Sequence, residues 1–147
     1  ASIVTAISLL FPSKVVVSRA IEITADSSDI AYFVTDLNHW DAWMTEWKEN
    51  KVTIKDSTAY ISTQTIQLLH ASDSSAQFKW TATGQPPYDV LIEWVPLSKG
   101  NYVIHWSFTQ NVHWYPWEKF QTLLNEKLLG YKMELELANL KEAILNK

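Results

Sequence analysis

The 147-residue chain is 47% apolar and 19% charged, with 3 Gly, 5 Pro and no Cys. Its length leaves room for one domain, its composition excludes disordered, collagen-like and low-complexity classes, and the missing Cys excludes disulfide frameworks, thiol catalysis and cysteine-ligated zinc. With 12 Lys and Arg against 16 acids, for a net charge of −4, no basic excess collects phosphates, and nucleic acid is not an expected partner.

The chain opens with an apolar leader, Ala1 to Phe11, that stops at Pro12-Ser13-Lys14. It falls short of the ~20 apolar residues that cross a bilayer, and it lacks the basic start and cleavage site of a signal peptide. Two readings stand open for residues 1–12: a terminal arm or first strand packed on the domain, or the remainder of a longer membrane anchor. Localisation follows that choice, cytoplasmic in the first case and membrane-tethered in the second.

In the next segment Val15, Val17, Ile21 and Ile23 share one parity, the period of a half-buried strand. Arg19, the only Arg of the chain, falls on that apolar face. Asp26-Ser27-Ser28-Asp29 supplies N-cap chemistry, and Ile30, Phe33, Val34 and Leu37 follow at helical spacing. A helix is expected over 27–36, then a second short helix or turn over 37–43 that holds Trp40 and Trp43.

From Lys51 to Gln110 apolar and polar residues alternate between turn signals at 56–57, 72–74, 84–87 and 98–101. That is the pattern of an antiparallel meander. Phe78 and Trp80 share a face, as do Tyr88, Val90, Ile92 and Trp94, and Tyr102, Ile104, Trp106 and Phe108. The opposite face carries Gln77, Lys79, Thr81, Asp89, Glu93, His105, Ser107 and Thr109, so one side of the sheet is aromatic and the other polar. The segment 59–70 alternates less cleanly, as a bulge would cause.

From Pro116 to Asn146 only Gly130 interrupts a helical pattern. Such a helix runs about 45 Å and crosses a domain whose expected radius of gyration is about 15 Å. Trp117, Phe120, Leu124, Leu128, Tyr131, Leu135 and Ala138 make one stripe, widened by Leu123, Met133, Leu137, Leu140 and Ile144. Strand, two short helices, meander and long helix in that order predict an α+β fold in which a curved antiparallel sheet grips the C-terminal helix.

The stretches Ile21-Glu22-Ile23-Thr24-Ala25 and Thr35-Asp36-Leu37-Asn38-His39-Trp40-Asp41-Ala42-Trp43, with the ending Gly130-Tyr131 through Lys141, resemble the START-like (SRPBCC, Bet v 1-like) superfamily. The nearest pattern is its bacterial polyketide cyclase/dehydratase-like branch. The resemblance covers essentially the whole chain, with residues 13–147 as a single START-like domain, and the leader ending in Phe11-Pro12-Ser13-Lys14 is similar to branch members with an N-terminal anchor. It implies a helix-grip fold with an apolar pocket between sheet and helix, used for lipids, sterols, hormones or polyketides. The chain departs from the pattern in having no Gly from 45 to 75, where members often bend the first hairpin with glycine.

The candidate ligand-binding residues are Trp40, Trp43, Phe78, Trp80, Tyr88, Trp94, Tyr102, Trp106, Phe108, Phe120, Leu124, Leu128 and Tyr131. Large rings supply apolar area, and indole and phenol add a polar handle. The same rings also fill space, and Trp40 and Trp43, three apart, suit a pair that pins a helical turn to the sheet end. Trp114, Tyr115 and Trp117 belong either to one end of the pocket or to an exposed patch.

Arg19 on an inward parity has to find a partner, either a ligand carboxylate or an ion pair with Asp36, Glu134 or Glu136. Among His39, His70, His105 and His113 none stands at i, i+4 spacing, so no metal site is expected. His39, His113 and Arg19 are the candidates for proton transfer if the domain is catalytic. No G-x-S-x-G, P-loop or dinucleotide motif is present.

The sequence thus points to a domain that binds a small hydrophobic ligand without an obligatory cofactor. The alternatives are a cyclase or dehydratase that needs titratable groups inside the pocket, and a protein-interaction module with a filled cavity. Oligomeric state is not encoded in these features.

Overall fold

The computed structural model describes residues 14–83, 87–111 and 116–146, and the side chains of these except 14, 15, 111 and 116–127. The leader and the segment 112–115, with His113, Trp114 and Tyr115, lie outside the described residues, as do the side chains of Trp117, Phe120 and Leu124.

Among the described residues seven strands form one antiparallel sheet: β1 (Lys14–Thr24), β2 (Val52–Lys55), β3 (Thr58–Ile61), β4 (Gln64–Ala71), β5 (Ser75–Ala82), β6 (Tyr88–Ser98) and β7 (Asn101–Asn111). Their order is β1-β7-β6-β5-β4-β3-β2, so the meander runs from one edge and its last strand pairs with the first. Between β1 and β2 come α1 (Ser27–Val34), a 3₁₀ turn (Leu37–Ala42) and α2 (Thr45–Glu49), and α3 (Pro116–Leu145) closes the chain. The curved sheet grips α3 as expected. Sequence reading placed helices in 27–36 and 37–43 and did not separate α2, a five-residue helix with no buried residue of its own.

Alternation sets the inner face. Register puts Arg19 beside Trp106 and Val17 beside Phe108, pairs Ile92 with Trp106 and Val90 with Phe108, and Trp80 with Tyr88. The side chains on the other parity, such as Lys79, Asp89 and Thr109, face away from the core. The irregular stretch 59–70 is a hairpin, with β3 and β4 joined at Ser62-Thr63 and a bulge between Leu68 and His70. No Gly, Pro, Asn or Asp marks that turn; Ser62 itself takes the left-handed conformation, φ 48°. Asp56 and Ser57, also left-handed at φ 51° and 60°, make the mirror-image two-residue turn that hairpins favour.

The orientation of α3 corrects the expectation. Among its described side chains the buried positions are Gly130, Met133, Glu136, Leu137, Leu140 and Ile144, the stripe read as a flank. Leu128, Tyr131 and Leu135 of the leading stripe are 71%, 64% and 50% exposed. Two long-range pairs go with this rotation. Arg19 Nε donates to Glu134 Oε1 at 3.0 Å, and its guanidinium lies against the helix at Gly130, where a Cβ would overlap it. Glu136, 2% exposed, accepts from the Thr45 backbone N–H at 3.0 Å and from the Thr45 hydroxyl. That carboxylate satisfies an otherwise orphaned donor at the start of α2.

Candidate functional site

At the sheet end marked by the start of β4, the end of β5 and the start of β6, the space between sheet and helix is not filled. A pocket of about 180 Å³ is lined by Gln64, Trp80, Ala82, Tyr88, Trp106 and Phe108 from the sheet, Leu129, Lys132, Met133 and Glu136 from α3, and Met44 and Glu46 at α2. For scale, an apolar cavity of about 150 Å³ holds benzene.

Four of the ring residues read from sequence meet here: Trp80, Tyr88, Trp106 and Phe108. Their rings touch in series, Tyr88 edge-on to Phe108 at 5.5 Å, and Phe108 at 5.3 Å from Trp80 and 5.2 Å from Trp106. The Trp80 indole donates to Gln64 Oε1 at 3.0 Å, which fixes its ring plane. Burial pushes the Tyr88 hydroxyl above its usual pKa, so it stays a neutral donor in this wall.

The other candidates sit elsewhere. Trp40 and Trp43 are fully buried and pin the short helices, their indoles donating to the carbonyls of Val34 and Phe33 at 3.0 and 3.1 Å. Phe78 packs on Trp40 at 4.9 Å. Trp94 donates to Asp73 O at 2.9 Å and to Ser27 Oγ at 3.1 Å, tying α1 to the β4–β5 turn. Tyr102 is half-buried against the core near Ile23, its register partner. Leu128 and Tyr131 point outward.

Of the proton-transfer candidates, Arg19 is taken by Glu134 and does not line the pocket. His39 stacks on Tyr32 at 3.9 Å and lies 2.8 Å from the Tyr32 carbonyl, a capping contact on the surface. His105 stands on the polar face, 4.0 Å from Glu93.

Sequence reading missed the polar end of the pocket. Lys132 Nζ pairs with Glu46 Oε1, and Glu136 stands one helical turn along α3. Desolvation pulls the Lys132 pKa below the ordinary lysine value, opposed by the Glu136 carboxylate. Two polar atoms of lining residues, Glu46 Oε2 and Trp106 Nε1, are buried away from the open space and have no partner among the described residues. The signal was present: Glu136 interrupts the apolar stripe of Met133, Leu137 and Leu140. An acid at a core position has to be hydrogen-bonded. Among the described residues no three metal-ligating side chains converge, and no helix is long and apolar enough to cross a membrane.

No family model and no curated protein matches the sequence. Solved structures do. CalU16 from Micromonospora echinospora superimposes with a TM-score of 0.62 at 13% identity, over 91% of this chain and 86% of that one. A START superfamily protein from Mycobacterium smegmatis gives 0.65 at 13% identity, over 89% and 97%. DynU16, a protein in the dynemicin biosynthetic locus, gives 0.62 at 12% identity, over 86% of this chain and 46% of that one. At these identities the likeness is one of architecture, and at that level the resemblance read from the sequence holds: the chain has the START-like helix-grip fold.

Proposed function

We propose that the protein binds a small hydrophobic ligand, lipid- or polyketide-like, in the pocket between the sheet and α3. The observation that carries this reading is unfilled space walled by Trp80, Phe108, Leu129 and Met133, four residues of the core or packed against it. A ligand that buries about 300 Å² of apolar surface gains about 7 kcal/mol, an upper bound in the micromolar range before the costs of association. The START superfamily neighbour and the neighbour from a biosynthetic locus support the choice of ligand class. The binding unit is residues 13–147, with the leader 1–12 as its candidate tether.

A second reading, a cyclase or dehydratase, is favoured by one observation: Glu46, Lys132 and Glu136 put titratable groups in the pocket wall. They replace His39 and Arg19 as candidates, since a proton-transfer group has to reach the bound molecule. The filled-cavity interaction module is disfavoured by the pocket itself.

Titration with 1-aminoanthracene, a neutral probe that brightens in apolar surroundings, tests the binding reading. Saturable brightening with a micromolar Kd is expected, and Ala82→Trp, which fills the pocket from β5, abolishes it while the protein stays folded. Absence of binding, or brightening unchanged in Ala82→Trp, overturns the reading.

A further inference from the structure

The outward face of α3 carries a pattern that the pocket does not use. Leu128, Tyr131, Leu135, Ala138, Glu142 and Leu145 are all exposed, and they follow one another at steps of 3, 4, 3, 4 and 3 residues. That is the period of a coiled-coil seam, held over about 26 Å of helix. A helix on the surface of one domain needs a single apolar face, the one turned to the core. In α3 that face is already supplied by Met133, Leu137, Leu140 and Ile144. The second seam is left for a partner.

The polar residues of the seam and its flank choose the occupant. An antiparallel pairing with a second copy about a two-fold axis sets Leu128 against Leu145, Leu135 against Ala138 and Tyr131 against Glu142, each contact made twice. The Tyr131 hydroxyl then donates to a carboxylate, and the acid in the seam gains a donor. On one flank the same register brings Glu134 of each copy to Lys141 of the other. The Glu134 side chain is 59% exposed beside Arg19, open to a second cation, and among the described residues Lys141 makes no ion pair. A parallel pairing would instead stack Glu142 on Glu142. Residues 1–13 carry no charged side chain, so the leader offers Glu142 and Lys141 nothing.

We propose that α3 is a self-association surface, through which two copies of the chain pair antiparallel along Leu128, Tyr131, Leu135 and Leu145. The inference is independent of what the pocket binds. A contact of this length belongs to the weak class that buries less than about 1,200 Å², and a Kd on the order of 50 µM is expected.

Sedimentation velocity of the full chain from about 5 to about 500 µM tests the proposal around that expected Kd. The expected result is a shift from monomer toward dimer, lost in Leu135→Glu, whose position is half exposed and tolerates a charge in the monomer. The chain has no Cys, so single cysteines report the direction of pairing. Mixed under mild oxidant, Leu128→Cys and Leu145→Cys chains are expected to give the mixed disulfide dimer. Each variant alone is expected to give at least about tenfold less, because like positions lie about 26 Å apart in the antiparallel pair. A dimer that persists in Leu135→Glu, or equal cross-linking of each variant alone and of the mixture, overturns the proposal. So does a chain that stays monomeric throughout. In that monomer, slow thiol labelling of Leu135→Cys assigns the seam to residues 1–13 of the same chain, and rapid labelling leaves it to a partner of another kind.

Discussion

The two ends of the helix–sheet interface are built from the same residue types and come out differently. At the closed end Trp40, Trp43 and Trp94 are at most 1% exposed, and each indole N–H has a backbone carbonyl acceptor. Around them Ile30, Val34, Leu37 and Leu140 leave little room. At the open end Trp80 leans on a side-chain amide and Trp106 has no acceptor among the described residues, with Lys132, Glu46 and a pocket beside them. A ring whose polar atom is tied to the backbone of a neighbouring element acts as a rivet. A ring tied to a side chain, or to nothing, is left to line a surface.

That contrast orders the effects of substitution. Trp43→Ala removes a rivet and opens a cavity in packed surroundings, so it is expected to cost about 3–5 kcal/mol in chemical denaturation. Glu136→Ala removes the acceptor for the Thr45 N–H and hydroxyl and is expected to cost about 1–3 kcal/mol, with α2 loosened in amide exchange. Trp80→Ala, which already faces open space on one side, is expected to cost less than half of what Trp43→Ala does while weakening ligand binding. Equal losses for the two Trp variants would erase the distinction between the ends.

Lys132 sharpens the comparison through pH. Its pKa is lowered in the fold, chiefly by desolvation, so the unfolded chain holds more protons than the folded one between that lowered value and about 10.4. Its contribution therefore makes stability rise with pH across that window. The difference in unfolding free energy between wild type and Lys132→Met is expected to grow in favour of wild type from pH 7 to 10, in urea titrations at matched ionic strength. A flat difference would mean that the ammonium is fully solvated. Gly130→Ala is the smallest effect. Helix propensity gains about 1 kcal/mol, and the displaced Arg19 guanidinium, on a flexible and partly exposed side chain, swings away from Glu134. The expected net change is under about 1 kcal/mol, because an exposed ion pair contributes little.

Strand parity was legible because a pleated strand with one buried face repeats every two residues. Phe78, Trp80, Tyr88, Trp94, Trp106 and Phe108 all point inward as their spacing required. The architecture followed from element order, and Glu134 was among the partners foreseen for Arg19. The rotation of α3 was not legible. The helix carries apolar residues on two sides, and the side that is buried also brings together Arg19 with Glu134 and Thr45 with Glu136, pairs 115 and 91 residues apart in sequence. Local periodicity does not contain such contacts. The same limit hid the polar end of the pocket: Glu46 and Lys132 look like surface charges in sequence and meet only once α2 and α3 are packed. Aromatic spacing named the inward residues but could not divide rivets from lining, since that depends on which acceptor each N–H finds.

The most direct test watches the indole N–H signals themselves. In a ¹H–¹⁵N spectrum with assigned Trp side chains, titration with 2-naphthol is expected to shift the Trp80 and Trp106 resonances in a saturable way while those of Trp40 and Trp94 stay in place. Shifts at the closed-end indoles with none at Trp80 and Trp106 would contradict the account.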